Sequence, residues 1–415
     1  MHDFIRKGGK LYCEGMDLNR VAERFGTPLY VYSYNTLTDH FLKLREAFRE
    51  IAPLICYSVK ANSNLSILKI LVEQGAGLDI VSGGELFRAL KSGCPPERIV
   101  YASVGKTDRE IEEAVSKKIL FFNVESEPEL ARINLIAGRY SRRVKIALRI
   151  NPDVEAKTHK FITTGKITNK FGVDLNTAGR VIRSRNKYRS LDICGLHMHI
   201  GSQITEGGPF LAAINKVAGF ARGLASEAGA EIRYLNIGGG LGIIYDNENP
   251  QTALSFSRKV LPVLKSSGFR VIMEPGRFIV GNAGILIAKV LYVKKTPLKK
   301  FIIVDAGMND LIRPALYGAF HKIEALKDRR GDAEKADVVG PICESGDFLA
   351  KARELPCFRQ GDYLAVMSAG AYGFSMSSNY NSRLKAAEVM VRNNRVVLIR
   401  RRDDYADLVR NEIIA

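Results

Sequence analysis

The chain has 415 residues, of which 46% are hydrophobic and 26% charged, enough for two domains and a large core and ordinary for a globular protein. Its six cysteines contain no CxxC pair, so neither a disulfide framework nor a zinc site is expected and a reducing, cytoplasmic compartment fits. The formal net charge of +18 comes from Lys and Arg spread along the chain in short clusters such as Arg400-Arg401-Arg402, without aromatic interleaving or finger spacing; this reads as a solvated basic surface that attracts anions, and no nucleic-acid partner is expected.

The first ten residues lack the apolar core of a signal peptide, and no apolar run is long enough to span a bilayer, so no membrane partner is expected. Gly8-Gly9 marks a turn, 17–25 a helix closed by Gly26, and 28–32 a strand. A helix at 34–51 then leads into a strand from Pro53 that runs out at Lys60, and the pattern breaks at Ala61-Asn62-Ser63-Asn64. Helices at 64–74, 84–91, 108–117 and 125–137 alternate with strands at 77–81, 98–102, 119–123 and 144–150. The stretch 151–176 is polar and broken by Gly and Asn, and reads as a long functional loop. Strands at 191–199, 234–237 and 269–273 follow, separated by helices at 210–228 and 252–265.

From residue 54 this makes about eight strands alternating with helices over about 220 residues, the count and length of a closed (β/α)8 barrel. An open doubly wound sheet is disfavoured, because chemistry-bearing residues end many strands instead of gathering at one crevice. After about residue 280, strand-like segments at 285–293, 301–304, 337–339, 363–366 and 395–399 stand among loops. The expected class is therefore α/β: a TIM-type barrel over 30–280, and a second, mainly β domain over 281–415 completed by residues 1–29.

Functional groups of a barrel sit where its strands end. Those positions hold Lys60, Asp79, His199, Gly238, Gly239, Gly240 and Glu274. A lysine ending a buried strand is poorly solvated, which lowers its pKa and suits an amine that forms a Schiff base. Three consecutive glycines let backbone N–H groups approach a phosphate. His197 and His199 flank Met198; one can equally be a hydrogen-bonded core histidine, and a two-histidine metal site lacks a carboxylate partner, so no metal is expected. Amine, glycine loop, carboxylate and flat side chain together are what pyridoxal 5'-phosphate requires, the carboxylate keeping the ring nitrogen protonated.

The motifs Tyr57-Ser58-Val59-Lys60-Ala61-Asn62, Leu196-His197-Met198-His199-Ile200-Gly201-Ser202-Gln203, Asn236-Ile237-Gly238-Gly239-Gly240-Leu241-Gly242 and Glu274-Pro275-Gly276-Arg277 occur in that order. They continue as Arg313-Pro314-Ala315-Leu316-Tyr317-Gly318-Ala319, Gly340-Pro341-Ile342-Cys343-Glu344-Ser345-Gly346-Asp347 and Gly370-Ala371-Tyr372-Gly373. Over nearly its whole length the chain resembles the fold-type III pyridoxal-phosphate-dependent decarboxylases, the alanine racemase-like barrel family, and within it the diaminopimelate branch. The resemblance implies that Lys60 carries the cofactor, His199 stacks on its ring, and Glu274 pairs with its nitrogen. Ser202, Gly238, Gly239, Gly240 and the backbone near Gly276 would hold the phosphate, with Asp79, Arg277 and Tyr372 also around the cofactor. It implies substrate contacts from Arg277, Arg313, Tyr317, Glu344 and Tyr372. Cys343 would be the proton donor, a thiol being mostly protonated at neutral pH.

The implied reaction is decarboxylation of meso-2,6-diaminopimelate to L-lysine and CO2 by a homodimer with shared active sites. Decarboxylation of another basic amino acid or a polyamine precursor is the rival. Those relatives more often carry an aspartate where Glu344 stands. A racemase usually needs a tyrosine base and lacks this cysteine loop, and a non-catalytic pyridoxal-phosphate carrier is a single barrel.

Overall fold

The computed structural model describes residues 2–154, 170–329 and 331–414, so most of the polar loop expected at 151–176 lies outside the described residues. The chain divides into two compact units. One comprises Phe41–Ile243 and Asn249–Phe278, the other Met1–His40, Ile244–Glu248 and Ile279–Ala415.

The first unit is a closed parallel barrel. Its strands are Leu54–Ser58, Gly77–Ile80, Ile99–Tyr101, Phe121–Val124, Val144–Arg149, Leu191–His197, Tyr234–Asn236 and Arg270–Met273. Each pairs with the next, and the last closes onto the first through the partners Ile272↔Leu54 and Met273↔Ile55. Cys56, Val100, Phe121, Ala147, Cys194, Tyr234 and Ile272 come from seven different strands and pack as one buried cluster, so the interior is filled rather than open. The intervening helices start on side-chain caps. Asn64, Ser82, Thr107 and Ser126 each accept an N–H of the first turn, and Thr107 and Glu110 form a complete capping box.

The strands expected after residue 54 fall where the chain places them. The helix Leu175–Arg183 does not appear among the expected elements; its Asp174 cap and buried Ala178, Val181 and Ile182 give it the ordinary amphipathic pattern. It begins directly after a polar stretch, which masked its start.

The second unit is mainly β. Its large sheet runs in the order Phe348–Leu355, Glu334–Val339, Lys300–Val304, Gly284–Lys295, Leu29–Ser33, Ala387–Arg392 and Arg395–Arg400. Tyr363–Val366 and Ile323–Ala325 add to the same sheet through Gly284–Lys295. The N-terminal strand Leu29–Ser33 is buried along its whole length and sits between Gly284–Lys295 and Ala387–Arg392. Phe4–Lys7, Lys10–Cys13 and Met16–Asp17 form a separate antiparallel sheet, the first two joined through Gly8 and Gly9, both at positive φ. Phe4, Leu11 and Leu18 share one core with Val31, Ile285, Leu326 and Val389, so the N-terminal segment is built into this unit.

Candidate active site

Closure of the barrel brings chain-distant groups to one end. The residues that follow strands Leu54–Ser58 and Arg270–Met273 are stitched together at the seam. The Ser58 N–H donates to Pro275 O at 3.1 Å. Ser58 Oγ lies within hydrogen-bond distance of both Asp79 Oδ2, at 2.7 Å, and Glu274 O, at 3.0 Å. A Cβ at Gly276 would stand 3.1 Å from both Ser58 Cβ and Ala61 Cβ, so a side chain there would crowd these two segments. Lys60 therefore belongs to the same wall as Glu274.

Lys60 itself departs from expectation. The strand ends at Ser58, Lys60 sits in the short 3-10 turn Val59–Ala61, and the residue is exposed, not buried. The turn carries the side chain beyond the packed strand end. Its charge is nonetheless felt by Asp79, Glu274, Glu85 and His199.

Glu274 is buried and surrounded by donors. Asn123 Nδ2 donates to its Oε1 at 2.9 Å and Asn236 Nδ2 to the same oxygen at 2.5 Å, while His197 Nε2 lies 3.1 Å from Oε2. Burial alone would raise its pKa, but His197, Asn236 and the Lys60 charge outweigh it and hold the carboxyl well below the usual range. Glu274 is thus a fixed anion. Asp79 behaves oppositely: burial, then the Glu274 charge, push it well above the ordinary carboxylate value, with Lys60 and Ser58 pulling back. Asp79 Oδ1 has no hydrogen-bond partner among the described residues, and neither has His197 Nδ1. His197 is the hydrogen-bonded core histidine of the pair; His199 lies at the rim. Burial, then the charges of Lys60 and Arg149, push the His199 imidazole well below its ordinary value, leaving a neutral flat ring.

The three glycines pack backbone against backbone. A Cβ at Gly238 would stand 2.4 Å from Met198 O, at Gly239 2.0 Å from Glu274 O, and at Gly240 2.2 Å from Gly201 O. The Gly238 N–H donates to Asn236 Oδ1 at 2.9 Å and the Gly239 N–H to His199 Nδ1 at 3.3 Å, so the protein itself engages two of the three amides. Ser202 Oγ accepts from Arg277 Nη2 at 3.0 Å, and Arg277 is buried.

The remaining expected residues lie in the β unit. Arg313 opens the helix Arg313–Tyr317 and is buried; its Nη1 lies 2.8 Å from His321 Nε2, and its guanidinium sits 4.7 Å over the Tyr245 ring. His321 is itself fixed by Nδ1, 2.8 Å from Met367 O. Tyr317 is half-buried at the end of that helix. Tyr372 has φ 57, a left-handed conformation that a tyrosine rarely adopts, and lies between Gly370 and Gly373. A Cβ at Gly370 would stand 2.0 Å from Val280 O and one at Gly373 2.4 Å from Ala369 O. Cys343 and Glu344 are both exposed in one turn. Among the described residues no group of three His, Cys, Asp or Glu side chains is arranged to hold a metal.

A family model described as "Pyridoxal-dependent decarboxylase, pyridoxal binding domain" matches residues 35–281. The chain is 51% identical to diaminopimelate decarboxylase of Aquifex aeolicus over 97% of this chain and 96% of that protein. It is 47% identical to that of Vibrio cholerae, again over 97% and 96%. The crystal structure of diaminopimelate decarboxylase from Helicobacter pylori complexed with L-lysine superposes with a TM-score of 0.91 at 42% identity, covering 95% of this chain and 99% of that one. The chain belongs to the diaminopimelate decarboxylase family of pyridoxal-dependent decarboxylases.

The residues present fit the cofactor of this decarboxylase family. Glu274 is a buried anion of the kind a protonated ring nitrogen pairs with, and His199 offers a neutral flat ring. The groups that hold Glu274 (Asn123, Asn236 and His197) were not among the expected site residues, although His197 and Asn236 stand inside the quoted motifs and Asn123 nearly ends a barrel strand. Tyr245 and His321, which orient Arg313, carried no sequence signal beyond their nearness to motif residues.

Proposed function

We propose that the chain decarboxylates meso-2,6-diaminopimelate to L-lysine and CO2, as a cytoplasmic homodimer whose active sites are shared. The observation that carries the chemistry is the Glu274 carboxylate, kept anionic by His197, Asn123 and Asn236 beside the Lys60 turn. Substrate choice is supported by full-length likeness to diaminopimelate decarboxylases. Six unpaired cysteines support a reducing compartment, and no helix of the described residues is long and apolar enough to cross a membrane.

Pyridoxal phosphate, when bound, supplies the electron sink that lets a carboxylate leave as CO2. Lys60 would hold it through its ε-amine. Glu274 would keep its ring nitrogen protonated, and the neutral His199 imidazole would stack on the ring. Ser202, the glycine turn, Gly276 and Tyr372 would hold its phosphate, and Asp79 and Arg277 would complete its surroundings. Arg277, Arg313, Tyr317 and Tyr372 bind substrate, arginine being suited to the carboxylate that must be kept. Glu344 pairs with the far ammonium. After CO2 leaves, the Cys343 S–H bond breaks and its proton forms the new C–H bond; solvent reprotonates the thiolate.

Separate incubation with meso-diaminopimelate, lysine and ornithine, scored by CO2 release, tests the substrate. Release from diaminopimelate alone is expected; release from ornithine but not diaminopimelate overturns the assignment. Borohydride reduction followed by peptide mapping is expected to find the cofactor on the peptide containing Lys60.

A further inference from the structure

The turn at 340–347 that presents Cys343 and Glu344 is fixed from beneath. Asp347 accepts the N–H of Ile342 at 2.7 Å and of Met308 at 2.6 Å. A Cβ at Gly340 would stand 2.4 Å from Gly307 Cα, so the turn lies directly on the neighbouring backbone. None of this reaches the exposed crest, where Cys343, Glu344 and Ser345 stand.

The crest has its own support, from a residue given no role above. The Cys343 N–H donates to Asn381 Oδ1 at 2.8 Å. Asn381 stands in the short 3-10 turn Tyr380–Ser382 with φ 54, followed by Ser382 at φ 55. Asn is one of the few residues that tolerates this left-handed backbone. The turn is anchored in its own unit: the Ser378 N–H donates to Asn309 O at 2.9 Å, Asn379 Nδ2 to Arg383 O at 2.8 Å, and Arg383 Nη2 to Asp305 O at 3.3 Å. Asn309 lies four residues before Arg313, so the segments bearing the arginine and the cysteine are braced together.

We propose that Asn381 is a positioning residue: by accepting the Cys343 N–H it fixes the turn that carries the Cys343 thiol. The inference rests on the reading of Cys343 given above. An exposed turn samples several conformations, and an acceptor that holds it beforehand removes part of the cost of ordering it when substrate binds.

The test uses the holoenzyme with N381G, N381D and C343A. N381G keeps the left-handed backbone but loses the acceptor, and N381D keeps both. N381G is expected to lower kcat about tenfold with little change in KM, and to alter the carbamidomethylation rate of Cys343 several-fold, with N381D restoring most of both. That rate is readable by mass spectrometry because four of the other cysteines are buried and Cys357 is half-buried. Unchanged Cys343 alkylation and kcat in N381G overturn the proposal. C343A separates the two layers. If it keeps full turnover the proton-donor reading fails, while a changed alkylation rate in N381G still upholds the positioning of the turn.

Discussion

The two buried acids are pushed in opposite directions. Glu274 is held anionic by three donors, while burial and then the Glu274 charge raise Asp79 well above the ordinary carboxylate value. Opposed shifts carry opposed pH signatures. Glu274, with a lowered folded pKa, stabilises the fold above its ordinary value of 4.5 and loses that contribution as pH falls through the folded value. Asp79, with a raised folded pKa, binds more protons folded than unfolded, so its contribution falls as pH rises from the ordinary 3.8 through the folded value. Asp79→Asn removes that decline. In the cofactor-free protein, melting temperatures from pH 5 to 8 should fall less steeply for D79N than for the unaltered chain; parallel curves would show that Asp79 is already ionised. His321 gives a second residue-level expectation. It accepts from Arg313 and is held by Met367 O, so His321→Phe loosens the guanidinium, whereas His321→Gln keeps an acceptor. Losing a hydrogen bond to a charged group is worth about 1.5–3 kcal/mol, so KM should rise roughly tenfold or more in H321F, with kcat better preserved and H321Q nearer the unaltered enzyme. Equal KM values in steady-state assays would remove His321 from substrate binding. The sequence shows the residues whose chemistry is distinctive, such as Lys60 and Glu274. It does not show Asn123 or His321, because a hydrogen-bond donor aimed by tertiary packing has no periodic signature.

At the scale of elements, the barrel was legible and the β domain only partly so. Barrel strands recur between capped helices, and each repeat announces its own start; Thr107 with Glu110 is an example. The β domain has no such rhythm. Phe348–Leu355 reads Phe-Leu-Ala-Lys-Ala-Arg-Glu-Leu, a helix-prone composition, yet it is a strand because pairing with Glu334–Val339 overrides propensity. That pairing is irregular: the register shifts between Ala336 and Val338, and Ala352 sits at φ 51 with its N–H donated to Asp337 Oδ1 at 2.6 Å. A left-handed alanine costs about 1–2 kcal/mol. Ala352→Gly should therefore stabilise the protein by about 0.5–1 kcal/mol after the glycine's greater unfolded-state entropy is set against it, and Ala352→Val should destabilise it. Urea midpoints for the three proteins decide this, and a midpoint lowered by glycine would mean that the alanine methyl matters more than the backbone strain.

At the scale of the whole molecule, the proposed chemistry draws on both units: the amine and its carboxylate stand in the barrel, the thiol and the substrate-facing glutamate in the β domain. If sites are shared in a homodimer, each complete site takes its Lys60 from one protomer and its Cys343 from the other. Two inactive variants then complement one another. K60A lacks every site's amine and C343A every site's donor, but a mixed dimer holds one site with both residues intact and one with neither. Random reassortment of equal amounts makes half of the dimers mixed, so a dissociated and re-associated mixture should recover about a quarter of the unaltered activity. Each variant alone, taken through the same cycle, should stay near background, and size-exclusion chromatography with light scattering should report twice the mass of the 46.0 kDa chain. Recovery absent from a mixture shown by mass-tagged subunits to contain mixed dimers would mean that each site is built within one chain. The thiol and the amine would then have to meet without a partner, and the exposed position of the cysteine turn would need another explanation.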